Sequence, residues 1–379
     1  MRHRIETTVK PTRRTAAVKL TPHANTAIEG EGQNMKRALA LVALVGVIAI
    51  AAIAGRADAA ASKSSAGSLT GAGSSFVFPL VSAWIPALGS AYGINVSYSP
   101  IGSGGGIAAV TARTVDFGAS DAPLSSDQFT ACKGCVEIPW ALSATSIPVN
   151  LPGLNCIVKL TGPIIADIYL GKITSWDDGQ IKAINGSCNM PSQKITPVYR
   201  SDNSGTTYNF TDYLSSVSPD WKSKIGVGVN AQWPAGIGAK GSSGVAGVLT
   251  KTVGAIGYVD VAYALKNKIR FASIKNAAGK FTTPGLRGIA AAAATLPAKI
   301  SGNGELHIVN PPKGDPLAYP ISTFTYVIVP QSTSKAADLR RMIYWAVTQG
   351  QALGKKLLFS PLPKQVQTFD YKQIKQIQG

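Results

Sequence analysis

Three times along the chain a short β-prone run ends in a turn of glycines and hydroxyl residues, then passes at once into a stretch with helical apolar spacing. The turns are Ser74-Ser75-Phe76, Gly102-Ser103-Gly104 and Ser204-Gly205-Thr206. Strands that turn directly into helices restrict the chain to an α/β architecture, with helices packed against sheets. Each junction also leaves the first N–H groups of its helix pointing out of the turn, where the positive end of the helix dipole favours an anion. The third turn adds Arg200, whose guanidinium offers a fork of donors to a carboxylate, sulfate or phosphate. One such turn says little, since Gly and Ser are how chains turn. Three of them, with an Arg and the isolated Asp121, point to a tetrahedral oxyanion held at the Arg200 turn with help from the other two.

Taken in order, the alternation continues to the end of the chain. A strand at 69–73 leads to a helix over 78–92, where Pro79 suits the first turn and Pro86 is expected to kink or divide the element. A strand at 95–100, a Gly-rich turn at 102–106, a helix at 107–113 and a strand at 115–119 follow. The stretch 137–150 reads as a strand leading to a crossing between lobes at Pro152-Gly153. Helices are expected at 162–169, 181–184, 208–214, 243–250, 286–296 and 336–353, strands at 195–199, 255–259 and 323–330, and a plain turn at 233–241.

The first 59 residues stand apart from the fold. Met35-Lys36-Arg37, the uncharged run 38–54 and Ala57-Asp58-Ala59 form a cleavable secretory signal peptide; an uncleaved anchor is the alternative. Residues 1–34 are a polar extension or an upstream mis-start. The remaining chain of about 320 residues, long enough for two lobes, keeps 28 Lys and Arg against 15 Asp and Glu. Those basic residues are spread without a run or interleaved aromatics, which argues against nucleic acid and leaves a small anion compatible.

Cys132, Cys135, Cys156 and Cys188 imply two disulfides in an exported chain. Three pairings exist, and Cys132–Cys135 with Cys156–Cys188 is preferred on loop entropy alone. A four-cysteine zinc site would need a second close pair, which 156 and 188 are not. His307 is the single histidine after residue 59; with Glu305 as its near acidic neighbour and no nucleophile motif beside it, it reads as satisfied or solvated. Nucleotide loops fail on spacing: Gly102-Ser-Gly104-Gly-Gly-Ile107 lacks the last glycine of a dinucleotide fingerprint. Ser332-Thr-Ser-Lys335 and Ser201-Asp-Asn203 stand in the wrong order for a β-lactamase.

Six motifs in order carry a resemblance: Thr70-Gly-Ala-Gly-Ser-Ser-Phe76, Ile101-Gly-Ser-Gly-Gly-Gly106, Val115-Asp-Phe-Gly-Ala-Ser-Asp-Ala-Pro123, Asp167-Ile-Tyr-Leu-Gly-Lys-Ile-Thr-Ser-Trp-Asp177, Arg200-Ser-Asp-Asn-Ser-Gly-Thr206 and Gly254-Ala-Ile-Gly-Tyr-Val259. From Leu69 to the C-terminal helix the chain resembles the periplasmic phosphate-binding proteins of Pst-type ABC importers. The resemblance implies a two-lobed periplasmic binding protein of the type II kind, with 68–147 plus 322–379 as one lobe, 148–321 as the other and the ligand in the cleft. It implies phosphate binding by Ser75, Phe76, Ser103, Asp121, Arg200, Ser204, Gly205 and Thr206, with Asp202 orienting Arg200. Ser75 stands where relatives often carry Thr, and Asn203 where they often carry Gly.

The implied protein is a monomer without cofactor or metal that hands phosphate to membrane permease subunits and catalyses nothing. Asp121 is the residue implied to accept phosphate's proton and repel sulfate; read from the residues alone, it caps the turn at Ala122-Pro123. Two other functions remain open: a phosphate-ester hydrolase, which lacks a metal cluster and a histidine base, and a phosphate-binding surface protein on the same fold.

Overall fold

The structure is a computed structural model and describes residues 67–379. The proposed leader and extension, residues 1–59, lie outside the described residues. Among the described residues no helix is long and apolar enough to cross a membrane.

The chain opens with β1 (Ser68–Gly73), α1 (Phe78–Tyr92), β2 (Asn95–Ser99), α2 (Ser103–Thr111), β3 (Phe117–Ser120), α3 (Ser126–Cys132) and the long β4 (Cys135–Ser146). Gly93, at φ 65°, ends α1 in the left-handed cap that glycine adopts without strain. Pro86 does not divide α1. It and Ser82, whose carbonyl loses the helix bond, are both exposed to solvent, where that loss costs least. The Gly-rich stretch after β2 is also not a plain turn, for α2 begins at Ser103 itself. The glycines there let the helix lie on its neighbours, as a Cβ on Gly106 would meet the backbone of Gly73 and Ala119.

Next come β5 (Lys159–Leu160), α4 (Gly162–Tyr169), α5 (Gly179–Ile184), β6 (Thr196–Arg200), α6 (Gly205–Val217) and α7 (Pro219–Lys224). They are followed by β7 (Ile237–Ala239), α8 (Gly241–Lys251), β8 (Ala255–Gly257), β9 (Val259–Asp260), α9 (Val261–Lys266), β10 (Ser273–Lys275), β11 (Phe281–Thr282) and α10 (Leu286–Ala293). Two expectations are corrected here. The stretch 233–241 holds strand β7, and 255–259 is two strands parted at Tyr258, whose side chain turns inward to the Arg200 backbone. The chain closes with β12 (Ser322–Pro330), α11 (Ala336–Val347), a 3-10 helix (Gln349–Leu357) that replaces the expected last turns of α11, and α12 (Lys364–Ile374).

The strands form a six-stranded sheet in the order β2-β1-β3-β12-β4-β9 and two three-stranded sheets, β11-β10-β5 and β7-β6-β8. The fold is mixed α/β and two-lobed, and β9, far along the chain, pairs with β4 in the large sheet. β4 and β12 run antiparallel from Ser322 opposite Ala144 to Pro330 opposite Cys135. Past Ser146 the chain leaves the large sheet, and Pro148 and Val149 already bridge to Phe271 and Ile256. The crossing therefore precedes Pro152-Gly153.

Each lobe has its own aromatic centre. In the first, Trp140 meets Trp84 and Phe117 edge to face at 5.2 and 6.1 Å. In the second, Phe210 stacks on Tyr258 at 4.3 Å with Tyr169 and Trp233 around them. Burying rings of this size contributes about 2–3 kcal/mol each. The disulfides are Cys132–Cys135 and Cys156–Cys188, the preferred pairing.

Candidate functional site

β1, β3 and β6 all end at one place, and each hands its chain to a polar turn. After β1, Gly73 sits at a positive φ of 141° where a Cβ would run into the Ala119 backbone, so the position needs glycine on both counts. Ser74 N donates to Ala119 O at 2.8 Å, while the Ser74 hydroxyl donates to Asp121 Oδ1 and accepts from Phe76 N at 3.0 Å. The Phe76 ring is in the core against Phe359.

After β2, Ser103 opens α2, and its hydroxyl accepts from Asp121 N at 3.2 Å. After β3, the turn at Ala122 is capped by Ser120, whose hydroxyl accepts from Ala122 N at 3.1 Å. Asp121 is thus freed from the capping role that its residue context suggested. Its side chain, 2% exposed, has Thr206 Oγ1 3.3 Å from Oδ2.

The third turn places Arg200 at the end of β6, 2% exposed. Asp202 holds it by a two-pronged ion pair, 2.7 Å from Nε and 2.6 Å from Nη2. Nη1 is left to point toward Thr206 Oγ1 at 3.3 Å. Asp202 also accepts from Gly241 N at 3.0 Å. Burial alone raises the Asp202 carboxyl pKa, but the Arg200 hydrogen bonds and charge outweigh it and hold the group below its ordinary range.

Ser204 caps α6 by accepting from Thr207 N at 3.1 Å, and among the described residues no hydrogen bond engages the N–H groups of Gly205 or Thr206. Gly205 packs so closely that a Cβ would lie 2.6 Å from Ser103 Oγ and 2.7 Å from the Asp121 and Ala122 nitrogens. The two lobes are shut on each other here, with Gly104 N donating to Asn203 O at 3.0 Å.

Asp121 sits among these donors with its pKa pushed up to about 6. Burial is the larger effect, opposed by hydrogen bonds from Ser74, Thr206 and Ser103 and by the Arg200 charge. The site thus offers a cation, hydroxyls, two free N–H groups at a helix start and one buried carboxylate. That set suits an oxyanion which still carries a proton.

The structure sets Ser103, Asp121, Arg200, Gly205 and Thr206 against one another, while the Phe76 N–H is taken by Ser74, the Ser204 hydroxyl caps α6 and Ser75 meets α8. Ser75 Oγ lies 2.9 Å from Ser242 Oγ and accepts from Ser242 N at 3.0 Å, so α8 supplies a fourth polar helix start. A strand hidden in a Gly-rich run concealed that fourth junction. Tyr258 fixes the Arg200 turn from below, its hydroxyl accepting from Arg200 N at 3.0 Å and lying 2.8 Å from Thr207 Oγ1. Asn209 Nδ2 donates to Asp121 O at 3.0 Å, a contact across 88 residues with no sequence signal. His307 pairs with Asp212 at 2.7 Å, a partner 95 residues away, and not with its sequence neighbour Glu305.

A family model described as a PBP superfamily domain matches residues 58–348. The phosphate-binding protein PstS of Xylella fastidiosa (strain Temecula1) is 40% identical over 317 residues, covering 82% of this chain and 86% of that one. The phosphate-binding protein PstS of Pasteurella multocida is 37% identical over 308 residues, covering 80% and 88%. Among solved structures, a high affinity periplasmic phosphate-binding protein (PfluDING) bound with phosphate aligns with a TM-score of 0.66 at 22% identity, covering 80% of this chain and 92% of that one. A phosphate binding protein from Stenotrophomonas maltophilia aligns at 0.63 and 24% identity, covering 80% and 93%.

Proposed function

The chain belongs to the PBP superfamily, and from that premise we propose that it binds inorganic phosphate between its lobes, unaltered, and delivers it to the permease of an ABC importer. One observation carries the reading: a buried carboxylate, Asp121, faces the same point as Arg200, the Ser103 hydroxyl and the free N–H groups of Gly205 and Thr206. A site for a fully ionised anion has no use for that carboxylate. Phosphate near neutral pH keeps a proton that Asp121 accepts. Sulfate has none, so it leaves the carboxylate repelled and unpaired, a difference of several kcal/mol.

Ser75, Phe76, Ser103, Asp121, Arg200, Ser204, Gly205 and Thr206 form the phosphate shell in this reading, and Asp202 holds Arg200 in place. The lobes are 68–147 plus 322–379 and 148–321. Donors from both lobes meet only when the cleft is shut, so the anion shifts an open-to-closed equilibrium, and the permease reads closure as occupancy. The protein acts as a monomer in the periplasm, exported by the leader at 35–59, without cofactor or nucleic acid. In this reading it is a carrier and not an enzyme, in line with relatives named as phosphate-binding proteins.

Equilibrium dialysis with labelled phosphate tests the assignment. Arg200→Ala is expected to weaken binding about a hundredfold or more, as removal of one partner of a buried charged pair does. Unchanged retention by that variant would overturn the site.

A further inference from the structure

On α6, Thr206, Asn209 and Asp212 recur every third residue and so share one helix face. All three reach across the cleft. Thr206 meets Asp121; Asn209 donates to Asp121 O at 3.0 Å and accepts from Thr323 Oγ1 at 3.0 Å; Asp212 Oδ2 lies 2.7 Å from His307 Nε2. His307 itself is carried by a strap, residues 304–309, that lies against the six-stranded sheet. Leu306 N donates to the Tyr326 hydroxyl of β12 at 3.1 Å, the same hydroxyl donates to Leu306 O at 3.3 Å, and Gly304, at φ 92°, packs on the Phe369 ring of α12. Between strap and helix runs a crevice of about 20 Å³, lined from Asp121 and Pro123 out to Asp212 and Glu305.

We propose that His307 and Asp212 are an interlobe clasp, with Asn209 as its inner rung, that holds the closed form without touching the anion and so sets how slowly phosphate leaves. This rests on the phosphate reading of the site. The geometry gives the clasp one purpose in the closed form: the strap, although it falls within 148–321, packs on β12 and α12 beside the six-stranded sheet, while Asp212 rides on α6, so the two partners meet only when α6 is seated on the strap. Of the charged and titratable groups around it, Asp212 from α6 and Glu305 from the strap bear on the imidazole's charge, while Tyr208 from α6, Tyr326 from β12 and the buried Glu137 from β4 are neighbours that sense Glu305. The Asp212 hydrogen bond raises the His307 pKa above its ordinary value, with burial opposing it. The clasp is therefore strong below that raised pKa and loosens as pH climbs through it. Phosphate's own ionisation also changes near neutrality, so the informative quantity is the ratio of variant to wild type at each pH.

The test uses the full chain, with phosphate release followed by stopped flow and His307 followed by proton NMR, its resonance identified by its loss in His307→Gln. Release is expected to quicken up to about fivefold at pH 6 in His307→Gln or Asp212→Asn, the range for a partly exposed pair. The double variant should be no faster than either single one, and the ratio to wild type should fall toward one at high pH. Phosphate should also raise the His307 midpoint in the wild-type protein. Release rates equal to wild type, or effects that add in the double variant, overturn the clasp. Wild-type protein that does not bind phosphate overturns the phosphate reading instead. The clasp is then decided by whether Asp212→Asn lowers the His307 midpoint, as a formed clasp requires, or leaves it in place.

Discussion

In the proposed site Asp121 carries the selectivity, and its chemistry is set by burial. A carboxyl whose folded pKa, about 6, lies above the ordinary 3.8 holds its proton more tightly in the fold than in the unfolded chain. Its contribution to stability therefore falls as pH rises from about 4 to 6, by about 3 kcal/mol if the free protein keeps this geometry. Asp121→Asn is expected to remove that part of the slope; urea unfolding of both proteins at pH 4.5 and 7.5 measures it, and an identical slope in the variant contradicts the burial. The same proton controls recognition. Preference for phosphate over sulfate should shrink as pH drops through about 6, because a protonated Asp121 donates to either anion. Arg200 was legible at this scale as a fork of donors at a helix start, while its orientation by Asp202 came only from the family resemblance. The role of Asp121 was not legible from its neighbours, which suggest a cap; Ser120 took that job and only the fold could say so.

The element that joins the two halves of the site is α6. Its start was legible because Ser204 and the apolar spacing behind it mark a cap and a helix, although the expected range of 208–214 fell short of Gly205–Val217 at both ends. The polar residues Thr206, Asn209 and Asp212 face the other lobe rather than solvent, so they gave no periodic signal of packing. Gly205 sits where α6 touches Ser103 and the Asp121 turn. Gly205→Ala is expected to leave the fold intact, within about 1 kcal/mol by thermal unfolding, while a wedge at this contact keeps the cleft from shutting. Small-angle scattering with excess phosphate should then show no contraction of the variant. A contraction equal to that of the wild type would contradict the close approach. Ser204→Ala should instead cost about 1 kcal/mol of stability through the lost cap. The 233–241 stretch was misread for a physical reason: β7 is three residues long, Ile237-Gly238-Ala239, too short for period-two alternation to register.

For the whole molecule, two lobes and their alternation of strands and helices followed from the repeated junctions, while the contacts that shut the cleft did not. Ser75 with Ser242 spans 167 residues, and His307 with Asp212 spans 95, distances over which no local pattern operates. The disulfide pairing was legible because only loop length was needed. Cys156–Cys188 encloses a separation of 32 residues, and removing it by paired Ser substitution is expected to cost about 4 kcal/mol. Loss near about 2 kcal/mol is expected for Cys132–Cys135, whose separation is three, so denaturant midpoints of the two paired variants should rank in that order. The proposed function rests on closure around one protonated anion. Titration calorimetry of the full chain at pH 7.5 against phosphate and sulfate is the measurement that bears on this. One phosphate per chain, with sulfate at least about a hundredfold weaker and the gap lost in Asp121→Asn, is the expected result; equal affinity for the two anions in the wild-type protein would contradict it.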